Sequence, residues 1–270
     1  MSRRLAEALP EIAERIAPAP HIFFCLNFGG TLVPIADRPE DVYLPDKTRD
    51  LLRALAKCEH VTFAIISGRE RVELASLADV PGAIFVGNHG LEISGPDLLF
   101  VEPMAAQFAD DMKQIHADFE NRLQGIPGAI VEDKGLTLSV HYRTVPEDRR
   151  DEVRRIVHSA LANASHPFLL REGRMVYEIR PRAYWNKGHA VTWLREHVAQ
   201  LAETTPLTIY IGDDNTDEDA FAVIADGISV KVGEPTGTAA MYHVDGPKDV
   251  IEFLTWALER LRQPSIMTHQ

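Results

Sequence analysis

Cysteine is scarce in this sequence, with two residues among 270. Cys25 and Cys58 are too few and too far apart for a disulfide framework or a four-ligand zinc site. No apolar run approaches the roughly 18 residues needed to cross a bilayer. Glu7, Glu11 and Glu14 interrupt the stretch that a signal peptide would keep apolar. The sequence therefore predicts a cytoplasmic protein without a membrane-spanning segment.

Basic side chains are also in deficit, since 28 Lys and Arg face 40 Asp and Glu and the formal net charge is −12. That balance has the wrong sign for binding a phosphate polymer or an anionic membrane, which argues against nucleic acid and lipid partners. With 45% hydrophobic and 25% charged residues the composition is that of a globular protein. At roughly 150 residues per domain, the length allows one large domain or two smaller ones.

Short apolar runs are present, and each ends in a polar turn that contains glycine. They cover residues 21–26, 61–66, 83–86 and 207–211. Patterns typical of helices occupy 45–57, 69–77 and 187–204, and a short amphipathic helix is predicted within 3–16. Alternating buried strands and helices predict an α/β fold with a doubly wound, mostly parallel sheet. Ligands of such sheets bind at the carboxyl ends of the strands, where the polar turns lie.

The middle third of the sequence has a different pattern. It predicts a helix over 104–123, strands near 130–133 and 136–143, a second helix over 147–162, and further extended chain over 168–180. This α+β, antiparallel character indicates a domain inserted into another. We expect a core domain formed by 1–103 and 181–270, and an inserted cap domain over 104–180.

An acidic turn follows the apolar run that ends at residue 211. Asp213, Asp214, Asp217, Glu218 and Asp219 place five carboxylates within seven residues. Clustered oxygen ligands suit a hard divalent cation such as Mg²⁺. The alternative is an acidic first turn that complements a helix dipole.

Two further turns have residue types that suit phosphate. Ser67 and the amides of the Ser67-Gly68-Arg69 turn could bind a phosphoryl group at a helix N-terminus, although a serine that only caps the helix is equally compatible. Lys187 could neutralise a phosphate, or it could be a solvated surface lysine. Neither residue decides the function by itself.

Taken together and in order, these motifs cover nearly the whole chain. They are NFGGTLVPI (27–35), ISGR (66–69), GNHGLE (87–92), VEDKG (131–135), SVHYR (139–143), YEIRP (177–181), WNKG (185–188) and GDDNTDE (212–218). This set resembles the haloacid dehalogenase superfamily of aspartyl phosphatases, and more closely its trehalose-6-phosphate phosphatase family. The resemblance implies a Rossmann-like core with an α/β cap that closes over a sugar phosphate.

The resemblance also implies roles for individual residues. Ser67 and Lys187 would contact the phosphoryl group, and Asp213 would bind Mg²⁺ with Asp214 and Asp217 supporting it. Sugar contacts are implied for a set of polar residues, namely Arg69, Asn88, His89, Lys134, Arg143, Arg174 and Glu178. Such side chains suit a ligand dense in hydroxyl groups, because an unmatched buried polar group costs about 1–3 kcal/mol.

The first motif departs from the family pattern, which reads Asp-Phe-Asp-Gly-Thr-Leu. Here Asn27 and Gly29 stand at the two aspartate positions. In the family mechanism the first Asp attacks phosphorus and the second acts as general acid and base. Asn27 lacks the charge of a nucleophile, although its carboxamide oxygen could still touch a metal. Gly29 offers only its backbone carbonyl.

Three hypotheses follow. The first is a protein of phosphatase fold that binds trehalose 6-phosphate or a related disaccharide phosphate, with hydrolysis lost or strongly impaired, and that acts by binding; the sequence reveals no protein partner. The second is an active Mg²⁺-dependent phosphatase in which another carboxylate or a metal-bound water substitutes, with Asp37 and Glu40 nearby in sequence. The third is a relic that binds nothing. We favour the first because of the chemistry of Asn27 and Gly29.

Overall fold

The computed structural model describes residues 2–36, 38, 41–164, 168–173 and 175–262. Its strands are β1 (Arg3–Arg4), β2 (Ile22–Asn27), β3 (Val61–Ile66), β4 (Ile84–Gly87), β5 (Glu92–Gly95), β6 (Leu98–Val101), β7 (Ile130–Asp133), β8 (Leu138–His141), β9 (Phe168–Gly173), β10 (Val176–Pro181), β11 (Leu207–Gly212), β12 (Ile228–Val232) and β13 (Tyr242–Val244). Its α-helices are α1 (Leu9–Ile16), α2 (Asp46–Ala56), α3 (Arg71–Ala78), α4 (Pro103–Gln107), α5 (Ala109–Leu123), α6 (Arg150–Ala162), α7 (Lys187–Ala202), α8 (Glu218–Val223) and α9 (Pro247–Arg262).

The apolar runs form the middle of a large sheet with the order β1-β13-β12-β11-β2-β3-β4-β5-β6. Pairing is parallel from β1 through β4, and β5 joins β4 antiparallel. Every residue of β2 is buried, and Ile22, Phe24 and Leu26 share one apolar cluster with side chains of α1, α2 and α9. The register aligns Leu26 of β2 with Ile65 of β3 and Ile211 of β11, so the loops after these three strands start side by side.

The inserted segment has a sheet of its own, with the order β7-β8-β10-β9 and antiparallel pairing throughout. Alternate residues of β8 and β10 point to an apolar cluster with α5 and α6, in which Phe119, Leu138, Val140, Val153 and Ile179 have no exposed surface. The other face of this sheet is left to polar side chains, as a half-covered antiparallel sheet predicts.

Contacts divide the chain into two units, Met1–Leu99 with Trp185–Gln270, and Phe100–Tyr184. The core and cap domains expected from sequence, with boundaries at 103–104 and 180–181, stay a prediction. The α/β class and the mostly parallel sheet are confirmed. No helix within the described residues is long and apolar enough to cross a membrane.

The single helix expected over 104–123 is wrong, because the chain forms α4 and α5 with a break at Phe108. Glu102 caps α4 by accepting a hydrogen bond from the backbone nitrogen of Ala105, and Phe108 leaves helical geometry at φ −93° and ψ 5°. The apolar spacing continues across this break, which is why the sequence pattern does not reveal it.

Candidate functional site

The loop after β2 is built around the side chain of Asn27, which is 4% exposed. Its amide nitrogen donates hydrogen bonds to the backbone oxygen of Gly29 (2.8 Å) and to Oδ1 of Asp213 (2.7 Å). Its Oδ1 accepts from Nζ of Lys187 at 3.2 Å. These bonds fix the direction of the carboxamide, because exchanging its oxygen and nitrogen would place an NH₂ group against the Lys187 ammonium.

Two adjacent glycines in this loop differ in the space around them. A Cβ atom added at Gly29 meets nothing within 4 Å, whereas one added at Gly30 would lie 2.0 Å from Oδ2 of Asp213. Gly30 also has a φ of +80°, which side chains rarely tolerate. Position 30 therefore requires glycine, while position 29 has room for a side chain.

Lys187, the first residue of α7, is buried with 1% exposure. Its Nζ donates to Oδ1 of Asp217 at 2.7 Å and lies 3.7 Å from Oδ2 of Asp214. Tyr210 of β11 donates its hydroxyl to the same Asp217 oxygen at 2.7 Å. Burial alone lowers the pKa of Lys187, but the nearby carboxylates outweigh it and the pKa is raised. The structure thus excludes a solvated surface lysine. We call Asn27, Lys187, Tyr210 and Asp217 the Lys187 cluster.

Asp213 and Asp214 begin the acidic loop after β11. Oδ1 of Asp213 accepts from the Thr31 hydroxyl at 2.9 Å in addition to Asn27. Burial and the neighbouring carboxylates raise the pKa of Asp213 to about 6. Burial also acts to raise the pKa of Asp214, but the Lys187 ammonium and the Thr216 hydroxyl lower it overall. The two aspartates therefore differ in how readily they carry charge.

Lys231 of β12 contacts the backbone of the acidic loop. It is 8% exposed, and its Nζ donates to the backbone oxygen of Asp213 at 2.5 Å. The carboxylate of Glu218 lies 3.8 Å from the same nitrogen. Through these contacts Lys231 holds the backbone at the start of the acidic loop.

The loop after β3 contains Ser67, which is 5% exposed. Its Oγ accepts from the backbone nitrogen of Arg69 at 3.2 Å, so its hydroxyl proton is available for donation to an anion. Arg69 forms an ion pair with Glu73 of α3. Ser67 follows β3 where Asn27 ends β2, since Asn27 and Ile66 are register partners.

Asn88 and His89 connect the loop after β4 to the loop after β3. The amide nitrogen of Asn88 donates to Glu92 at 2.7 Å, and the same Glu92 oxygen accepts from the backbone nitrogen of Arg71 at the start of α3. The backbone nitrogen of His89 donates to the oxygen of Ser67 at 2.9 Å. These bonds position the Ser67 loop. The predicted contacts of Asn88 and His89 with a sugar stay a prediction.

The polar face of the inserted sheet gathers six side chains, which we call the insert face: Glu132, Lys134, Ser139, His141, Glu178 and Arg180. Ser139 is the register partner of both Glu132 and Glu178, so these residues share one side of the sheet. Lys134 donates to Ser139 at 2.8 Å, and His141 Nε2 lies 2.7 Å from a Glu132 oxygen. Glu178 pairs with Arg180. Most of these groups are partly exposed, which suits contact with a hydroxylated ligand.

Sequence reasoning found part of this arrangement. Lys134 and Glu178 lie together on the insert face, Arg143 lies two residues beyond β8, and Arg174 lies outside the described residues.

Sequence reasoning missed Glu132, His141 and Arg180, which strand alternation from Ser139 and Glu178 would have found. It also missed the core residues Thr31, Tyr210 and Lys231. Only Lys231 leaves a signal, as a lone charge in an apolar strand.

The magnesium ion implied by the resemblance does not fit the arrangement around Asn27. A cation needs oxygen atoms turned towards it, but here an NH₂ group donates to both the Gly29 and Asp213 oxygens. Both carboxylate oxygens of Asp217 accept protein hydrogen bonds, from Lys187, Tyr210 and the backbone of Asp214. Among the described residues no group of three His, Cys, Asp or Glu is arranged to hold a metal. The metal assignment of Asp213, Asp214 and Asp217 stays a prediction.

A parallel α/β core whose strand-end loops gather a buried lysine, a serine and aspartates, interrupted by an antiparallel insert, defines a haloacid dehalogenase-like protein. The C-terminal domain of a C. albicans trehalose-6-phosphate phosphatase has the same fold, with a TM-score of 0.79, 22% identity, and coverage of 96% of this chain and 98% of that domain.

Residues 25–247 match the family model described as trehalose-phosphatase, and the chain belongs to that family. A probable trehalose-phosphate phosphatase of Arabidopsis thaliana is 35% identical over 252 residues, covering 88% of this chain and 70% of the relative. A trehalose-phosphate phosphatase of Mycobacterium tuberculosis is 33% identical over 255 residues, covering 92% of this chain and 63% of the relative. The chain therefore spans less than two thirds of the mycobacterial protein.

Proposed function

We propose that this protein binds trehalose 6-phosphate or a related disaccharide phosphate without hydrolysing it efficiently, and acts through that binding. The observation that carries the proposal is Asn27, which stands at the nucleophile position of the family motif and whose carboxamide is held in hydrogen bonds with Lys187, Gly29 and Asp213. A carboxamide oxygen is a poor nucleophile, and an acyl phosphate cannot form from it without loss of its nitrogen.

The remaining groups of the core suit a phosphoryl group. Lys187 supplies a buried positive charge, and the Ser67 hydroxyl has a proton to donate. A buried ammonium strengthens its interaction with an anion because the local dielectric is low. In this proposal the polar side chains of the insert face, Lys134 and Glu178 among them, bind sugar hydroxyl groups.

Gly29 removes the second chemical group of the family motif. No side chain at this position can protonate the leaving sugar oxygen or activate water. In a hydrolase of another class, loss of the nucleophile alone lowered turnover by about 10⁶, and losses of cooperating groups did not add. We expect turnover here to fall to a similar degree.

The names of the curated relatives favour a second candidate, an active trehalose-phosphate phosphatase. It needs a substitute for the two missing groups. Asp37 and Glu40, the carboxylates closest in sequence, lie outside the described residues. Activity therefore has to be measured directly.

The test is phosphate release from trehalose 6-phosphate in the presence of Mg²⁺, run beside a thermal shift with the same ligand. Wild type is expected to release phosphate at a rate close to background and to gain about 2.7 kcal/mol of stability at a hundredfold excess of ligand over Kd. Asn27→Asp with Gly29→Asp is expected to gain hydrolysis, since position 29 has room for the new side chain. The matched control, Asn27→Asp with Gly29→Asn, restores the nucleophile alone.

Phosphate release by wild type at ordinary enzyme rates would refute binding without catalysis. Absence of a thermal shift with trehalose 6-phosphate and with other disaccharide phosphates would refute the binding itself and favour the relic.

A further inference from the structure

The hydrogen bonds of Asn27 bear on whether this site needs a divalent cation in order to bind a ligand. Its amide nitrogen lies between the Gly29 backbone oxygen and Oδ1 of Asp213, at 2.8 and 2.7 Å. Both are oxygen atoms of the kind that a divalent cation coordinates. One NH₂ group thus satisfies two acceptors that would otherwise face each other across the loop, and lone pairs that face each other unbridged are costly when buried.

The orientation of this amide is set from the other side. Oδ1 of Asn27 accepts from Nζ of Lys187 at 3.2 Å. Lys187 has only donors, so turning the amide to present its oxygen to a cation would bring two donor groups together. The pairing of Asn27 with Lys187 therefore holds the NH₂ group against Gly29 and Asp213.

Further protein donors complete the loop. The Thr31 hydroxyl donates to the same Asp213 oxygen at 2.9 Å. The second Asp213 oxygen is packed so closely on Gly30 that a Cβ atom there would overlap it. Oδ1 of Asp213 thus has two protein donors, and Oδ2 lies against Gly30.

The absence of negative charge at positions 27 and 29 also argues against a bound divalent cation. Asn27 is neutral, so it does not repel a phosphate dianion as a carboxylate would at that distance. Gly29 adds no charge either. The two positions carry none of the negative charge that a divalent cation would be needed to offset.

We propose that the pocket binds its sugar phosphate without a divalent cation, because the Asn27 amide group bridges the Gly29 and Asp213 oxygens in place of one. This inference rests on the proposed function. It predicts that Asn27→Asp with Gly29→Asp, which adds two negative charges and removes the bridging NH₂ group, converts the pocket to one that requires the cation.

The experiment compares two measurements on the full chain. Isothermal titration calorimetry with trehalose 6-phosphate is run in EDTA and in Mg²⁺, and Mn²⁺ binding is followed by the loss of its free electron paramagnetic resonance signal. Wild type is expected to bind the sugar phosphate with a Kd that changes by less than about threefold between the two conditions. It is expected to retain no Mn²⁺.

The double variant is expected to retain Mn²⁺ and to bind the sugar phosphate about tenfold or more tightly with Mg²⁺ than in EDTA. Asn27→Asp with Gly29→Asn adds one charge instead of two at nearly the same volume, so its dependence on Mg²⁺ is expected to be intermediate. A cooperative thermal transition checks that each variant is folded.

The outcomes separate the inference from the function it rests on. Binding by wild type only when Mg²⁺ is present, or retention of Mn²⁺ by wild type as strong as by the double variant, overturns the inference and leaves the proposed function standing. Binding of the sugar phosphate in neither condition overturns the proposed function, and the inference falls with it.

Discussion

The Lys187 cluster and the insert face are built from the same kinds of groups, but they differ in burial. Lys187 and Asp217 have fully buried side chains. On the insert face, Glu132, His141 and Glu178 keep between a fifth and a quarter of their side-chain surface exposed. Removal of the partner of a buried charge costs several kcal/mol of stability. Removal of the partner of a partly hydrated charge costs about 1 kcal/mol or less. The Lys187 cluster is therefore expected to contribute more to the stability of the fold than the charged groups of the insert face do.

The strongest test of this comparison is Asp217→Asn. It leaves the buried Lys187 ammonium with the Asp214 carboxylate at 3.7 Å in place of its direct ion pair, and breaking a buried ion pair from one side costs about 3–5 kcal/mol. The free energy of unfolding, measured in urea, should fall by that amount. Adding Lys187→Met to this variant should recover part of the loss, since the uncompensated charge is then gone. A loss below about 1 kcal/mol would show that the Lys187–Asp217 ion pair contributes little to the stability of the fold.

The second test uses pH. The pKa of Asp213 is about 6 in the folded protein against an ordinary 3.8. Because this pKa is raised, the protonated Asp213 carboxyl group contributes its full stabilisation below pH 3.8. That stabilisation is lost as the pH rises through about 6. The cost above that pH is about 2–3 kcal/mol. We expect the unfolding free energy of wild type in EDTA to fall relative to Asp213→Asn between about pH 4 and pH 7. Parallel curves for the two proteins would show that Asp213 is not perturbed.

A smaller effect is expected for Tyr210→Phe. The change removes one hydrogen bond to the Asp217 carboxylate, which keeps its bond to Lys187. The expected loss is about 1–2 kcal/mol in unfolding free energy. Tyr242→Phe is a useful control, because its hydroxyl contacts Glu11 at a part-buried site away from the Lys187 cluster. An equal or smaller loss for Tyr210→Phe than for this control would show that burial does not make the Tyr210–Asp217 hydrogen bond the stronger of the two.

The smallest effect on stability is expected on the insert face, where Glu178→Gln should cost about 1 kcal/mol or less. In the proposed function the same change should reduce the thermal shift caused by trehalose 6-phosphate. Glu172→Gln is its matched control, since Glu172 is exposed and is the register partner of Tyr177 on the opposite side of the sheet. If both variants keep the full shift, Glu178 does not contact the sugar.

Much of the fold could be predicted because the central strands are continuous apolar runs. The predicted strand 61–66 has the bounds of β3, 207–211 ends one residue before β11 does, and 21–26 is displaced by one residue from β2. The short strands β1 and β13 were missed because two or three residues carry no periodicity. Strand β12 was missed although it is buried, because Lys231 interrupts its apolar pattern.

Sequence reasoning named Asn27, Lys187 and Asp213, which the structure brings together, but it did not give their contacts. Motif order pointed to Ser67, Lys187 and Asp213, but the burial of Lys187 depends on tertiary packing that no local pattern records. The direction of the Asn27 amide depends on a donor 160 positions away in the chain. Such long-range pairs are set by the sheet order, so sequence reasoning could name Asn27 without knowing which of its atoms faces which partner.

The contrast between Gly29 and Gly30 has a consequence for how this protein tolerates change. In a saturation mutagenesis library selected only for folded protein, position 29 should accept many residues, whereas position 30 should accept almost none, because of Asp213 and the positive φ. A side chain can therefore be added at position 29 without rearrangement of the backbone, whereas position 30 keeps the loop dependent on glycine.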